Sequence, residues 1–94
     1  MSLEKAKEAT IEAAVRYSLG TANYAASIIE YVTPLIPHLS DSTLNFIYKE
    51  IVWQINSPHV IPLTESYRKM WTEFLEKIKE QREWREWLHE NSKN

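Results

Sequence analysis

Residues 3–32 read LEKAKEATIEAAVRYSLGTANYAASIIEYV, and the reading of this stretch decides how many helices the chain has. Apolar side chains recur at Ile11, Val15, Leu19, Ala22, Ala26 and Ile29. Steps of three and four place them on one line of an α-helix. The line keeps its phase across Gly20-Thr21. The spacing therefore predicts one helix over about 3–32, bent at the glycine, since a mid-helix Gly costs only about 1 kcal/mol relative to Ala. The alternative is that Gly20 ends a first helix and Thr21 caps a second. Ser2 is the N-cap candidate, with Glu4 in the first turn, where a negative charge favours a helix start.

Beyond this stretch the punctuation is clear. Thr33-Pro34-Leu35-Ile36-Pro37 ends the helix, because proline has no N–H to donate and disfavours helical geometry in the residue before it. Ser40 or Asp41 caps a middle helix predicted over 41–56, and Leu39 with Leu44 has the spacing of a hydrophobic staple. Leu44, Ile47, Ile51 and Ile55 form its core stripe, which Phe46, Val52 and Trp53 widen. Asn56-Ser57-Pro58 stops it. Thr64 caps a last helix predicted over 64–90, whose buried face is Tyr67, Met70, Trp71, Phe74, Leu75 and Ile78. Residues 91–94 are expected to fray. Ile36-Pro37-His38-Leu39-Ser40-Asp41-Ser42 and Ile61-Pro62-Leu63-Thr64-Glu65-Ser66 resemble each other and read as one helix-start signal used twice. The expected fold is an all-α single domain over 1–94. It is a small antiparallel helical bundle of three helices, or four if the first breaks at Gly20, with a long C-terminal helix.

Composition removes several function classes. The 94 residues are 44% hydrophobic, 12% aromatic and 26% charged, which are globular values. The single glycine leaves no Gly-rich phosphate loop, dinucleotide fingerprint or nucleophile elbow, since each requires glycines at a tight turn or a close approach. Without cysteine there is no disulfide framework, thiol nucleophile or Cys-based zinc site. An intracellular, cytoplasmic location is the expectation for an unstapled domain of this size. Abundant Ile, Tyr, Glu and Lys is the composition expected of a thermophilic archaeal or viral source.

Eleven basic and thirteen acidic residues give a net charge of −2. Residues 1–47 carry three basic and five acidic groups and residues 48–94 carry eight of each, so neither half offers the clustered cations of a nucleic-acid surface. The least charged stretch, 17–40, contains Gly20, Asn23, Glu30, Pro34, Pro37 and His38 and does not read as a membrane span.

Two aromatic features point to a partner. Tyr17, Tyr24 and Tyr31 are spaced seven apart, so on a continuous helix they form a ladder facing away from the Val15–Ala22–Ile29 line. Trp84, Arg85, Trp87 and Leu88 lie on the last helix, where Trp84 and Trp87 have drifted off the core stripe by about 80° and about 140° from Phe74. Trp and Arg are enriched in binding hot spots. The partner-binding candidates are thus Tyr17, Tyr24, Tyr31, Trp84, Arg85, Trp87 and Leu88. They suggest a non-enzymatic protein–protein interaction module, either a small subunit of a larger assembly or a homo-oligomer.

The alternative is an accessory subunit of a nucleic-acid machine such as a polymerase or viral replication complex, with direct contact left to Lys77, Lys79, Arg82 and Arg85. A further alternative rests on Arg82 and His89, whose spacing falls within the loose Arg-x4–6-His pattern of small helical ribonucleases. There a His acts as base on a 2′-hydroxyl and an Arg stabilises the phosphate. His38 and His59 lie in the two Pro loops and lack a third ligand, so neither a metal nor any other cofactor is expected. The glutamates of the last helix alternate with Lys77, Lys79, Arg82 and Arg85, and Glu73–Lys77 and Arg82–Glu86 have i,i+4 spacing, as on a solvated helix face.

Overall fold

A computed structural model describes residues 3–21, 25–56 and 65–92. Helices α1 (Leu3–Thr21), α2 (Ala25–Val32), α3 (Asp41–Asn56) and α4 (Glu65–Asn91), with a 3-10 turn over Thr33–His38 before α3, form an all-α bundle. The long C-terminal helix is present, and the two later helices fall within a residue of their predicted bounds.

The first helix is not continuous. α1 and α2 are separate elements that pack against one another. The apolar line also changes phase: Ala25 and Val32 are buried while Ala26, on the predicted line, is exposed. Tertiary hydrogen bonds meet α1 close to this break. The last four carbonyls of an α-helix have no partner within it. Here the Tyr67 hydroxyl donates to the Ser18 carbonyl at 2.7 Å, and the Gln54 amide donates to the Leu19 carbonyl at 3.1 Å. Helices α4 and α3 thus supply donors to two of the last carbonyls of α1. The predicted caps Ser2 and Thr64 lie outside the described residues, as does the side chain of Thr21.

Three contacts fix the chain directions. The Ser40 N–H donates to the Glu8 carboxylate, Arg16 pairs with Glu50 at 4.0 Å, and Gln54 reaches Leu19. Residue numbers rise together along both helices, so α1 and α3 run parallel. The segment between them, α2 and the 3-10 turn, brings the chain back along α1. Arg85 meets Asp41 and Arg82 meets Tyr48, so α4 runs antiparallel to α3. Successive elements alternate in direction, in an up-down-up-down order.

Local chemistry sets the remaining joins. The Thr33 hydroxyl bonds back to the Ile29 carbonyl at 2.6 Å as α2 gives way to the turn containing Pro34 and Pro37. At the start of α3 the Thr43 N–H donates to the Ser40 hydroxyl oxygen at 3.3 Å, which makes Ser40 the N-cap. The Glu8 carboxylate on the Ser40 N–H adds a negative charge at the same positive helix end. Ser40→Ala is expected to cost about 1 kcal/mol of folding free energy, read as a lower urea midpoint with unchanged slope. Asn91 is helical rather than frayed: its side-chain amide donates to the Trp87 carbonyl at 2.8 Å, and the Ser92 N–H to that of Leu88 at 2.9 Å. Residues 93 and 94 lie outside the described residues.

The core draws on every element: Ile11, Val15 and Leu19 from α1, Val32 from α2, Ile36 from the turn, Leu44, Ile47 and Ile51 from α3, and Tyr67, Trp71, Phe74 and Ile78 from α4. Leu39 and Leu44, the staple pair, are both buried. Trp71 stacks on Phe74 at 5.9 Å and meets Tyr67 edge-on at 6.2 Å, so α4 lines the core with three consecutive rings. Trp53 departs from the expected stripe and is 60% exposed, whereas Gln54 beside it is buried.

Candidate interaction surface

Ile78 is the last buried residue of α4, yet the helix continues to Asn91. That leaves thirteen residues, roughly 20 Å of helix at 1.5 Å per residue, with little of the chain to cover them. Two arginines hold this half of α4 to the body. The Arg85 guanidinium donates to the Asp41 carboxylate at 2.9 Å and to the Pro37 and Ile36 carbonyls at 3.2 and 3.5 Å. A cation is favourable there, because those carbonyls end the 3-10 turn and point their negative ends at it. Arg82 lies over the Tyr48 ring, 4.6 Å from its centroid.

With the arginines turned inward, the other side of the helix carries the apolar side chains. Trp84 and Trp87 stack nearly parallel, with ring centroids 5.2 Å apart and 11° between planes. They remain 53% and 52% exposed, and Leu88, one turn from Trp84, is 43% exposed. Trp84 also forms one wall of an open groove of about 330 Å³ between α4 and the 3-10 turn, facing Thr33, Ile36 and Pro37. The groove continues the tryptophan surface onto the body of the bundle.

The other candidates do not join this surface into one site. Tyr17 is exposed on α1 and Tyr31 on α2. Because α2 turns back along α1, the two do not form one line, and the predicted ladder does not exist as such. Tyr24 lies outside the described residues. Arg85, expected among the partner-facing residues, is half-buried and engaged with Asp41 and the turn. His89 is exposed and stands about 10 Å along the axis from Arg82, whose guanidinium is on Tyr48. His38 is exposed, and His59 lies outside the described residues. Among the described residues no group of three His, Asp or Glu is placed to hold a metal ion, and no helix is long and apolar enough to cross a membrane.

The sequence places Tyr67 on the buried face of α4 but does not show that Tyr67 and Gln54 reach the end of α1. A signal was present for Gln54: it follows Leu44, Ile47 and Ile51 by a step of three, and so places an amide on an apolar line. A buried amide requires a hydrogen-bond partner. No protein-family model, curated protein or solved structure matches this chain.

Proposed function

We propose that the protein is a non-enzymatic interaction module, a small subunit that binds another protein through the outer side of the C-terminal half of α4. The observation that carries this reading is the stacked Trp84–Trp87 pair with Leu88, three large apolar side chains grouped on a helix that extends past its own core. Rigid, preformed aromatic groups bind with little ordering cost, and such residues dominate interface energetics. Burial of these rings between preformed helices is the mechanism. Two of the four cations that a nucleic-acid contact would draw on, Arg82 and Arg85, are engaged within the chain, which favours a protein partner over the accessory nucleic-acid reading.

The test uses a photo-crosslinking amino acid placed in the native source at the exposed position 91, one turn from Trp87, so that both tryptophans stay in place. A discrete adduct with a second protein is expected, absent when the same group sits at the exposed position 45 on α3. Adducts from both positions alike, or from neither, would overturn the reading.

A further inference from the structure

The tryptophan patch lies on a helix face whose charge indicates what covers it. Ile78 marks the buried side of α4, and Trp87, nine residues on, lies about 180° around the helix from it. Glu73, Glu76, Glu80, Glu83 and Glu90 join Trp87 on that outer line at steps of three and four, and all are exposed. Between Glu73 and Glu90 the line contains no basic residue, and Lys77 and Lys79 lie off to its two sides. The i,i+4 spacing Glu73–Lys77 produces no ion pair, unlike Arg16–Glu50 and Arg85–Asp41. The arginines that would neutralise the line, Arg82 and Arg85, are directed to Tyr48 and Asp41 on the opposite side. The result is a stripe roughly 25 Å long at 1.5 Å per residue, carrying five carboxylates around an exposed indole.

We infer that the partner of this face is a basic segment of another protein, with Lys or Arg repeating along the glutamate line and apolar side chains lying on Trp84, Trp87 and Leu88. This rests on the interaction reading above and specifies its partner. A second copy of the chain does not fit. Two such faces brought together would oppose five carboxylates to five, and like charges suppress association. An anionic surface, nucleic acid or acidic lipid, is repelled by the same stripe. A cationic segment meets opposite charge along the whole line, and a guanidinium has a further favourable place over an indole face.

The experiment is isothermal titration of the full chain with three helix-forming peptides of about 20 residues, long enough to span the stripe. All carry the same leucines on one side, with Arg, Gln or Glu at the remaining face positions. The Arg peptide is expected to bind and the Glu peptide to fail. Raising salt from about 50 to about 500 mM should weaken binding, because exposed charges are screened. The triple variant Glu76→Gln, Glu80→Gln, Glu83→Gln and the single variant Trp87→Ala should each weaken it about tenfold or more. In the charge-reversed variant Glu76→Lys, Glu80→Lys, Glu83→Lys the preference should swap to the Glu peptide.

Equal binding of the Arg and Gln peptides, or full affinity in the triple Gln variant, overturns the basic partner. It leaves the interaction reading standing if Trp87→Ala still abolishes binding. Failure of the Arg peptide to bind also overturns the inference, and the crosslink from position 91 then decides the interaction reading separately.

Discussion

Trp71→Ala is expected to lower folding stability by about 3–5 kcal/mol, most of what a domain of this size possesses. Trp71 is fully buried, stacked on Phe74 and edge-on to Tyr67, so its removal opens a cavity between two rings that cannot collapse toward each other. Its indole N–H has no acceptor in hydrogen-bonding geometry among the described residues. Trp71→Phe therefore removes an unsatisfied donor along with the second ring, and should cost less than the alanine change. Trp87→Ala provides the contrast, with a change within about 0.5 kcal/mol. Urea titrations followed by circular dichroism read all three. Comparable losses for Trp71→Ala and Trp87→Ala would place Trp87 in the core and remove the surface on which the proposed function stands.

The second large effect is expected where α1 ends. Gln54→Ala and Tyr67→Phe each leave one C-terminal carbonyl of α1 buried without its donor, at a cost of about 1–3 kcal/mol. The two donors serve adjacent carbonyls, so the double variant should depart from additivity. Tyr67 adds a pH signature. Burial pushes its phenol above the usual value of 10.0, opposed in part by the neighbouring Trp71 indole. The fold thus favours the neutral hydroxyl. The stability this gives is fully present below about pH 10 and is lost as pH rises through the folded-state pKa. In wild type, denaturation midpoints measured from pH 7 to 11 should fall at the alkaline end. In Tyr67→Phe that component of the fall should vanish, and an unchanged alkaline slope would show that Tyr67 is not its source.

These sites mark the limit of what the sequence discloses. The bounds of α3 and α4 and the burial of Ile47, Ile51, Trp71, Phe74 and Ile78 were legible, because proline stops, a serine cap and 3.6-residue periodicity are local signals. The end of α1 was not. Its apolar line runs in phase through Gly20, and the groups that interrupt it come from α3 and α4. Trp53 was expected to widen the stripe and is exposed, while Gln54 beside it is buried, because the real stripe leans toward the carbonyl that Gln54 serves. At the candidate surface, the drift of Trp84 and Trp87 off the core stripe was readable from the helical wheel. The inward turn of Arg85 was not, because it depends on Asp41 and on two carbonyls of a turn forty-eight or more residues earlier in the chain.

The termination of α1 by Gln54 and Tyr67 also orders events during synthesis. Chains emerge from the ribosome N-terminus first. When residues 3–32 have emerged, Gly20 is the local breaking signal, and the apolar line through Leu19, Ala22 and Ala26 runs on across it. The donors that end it arrive 35 and 49 residues later. Until they arrive, the Ser18 and Leu19 carbonyls lack the donors that they have in the folded bundle. The end of the first helix thus depends on side chains that enter the chain well after it.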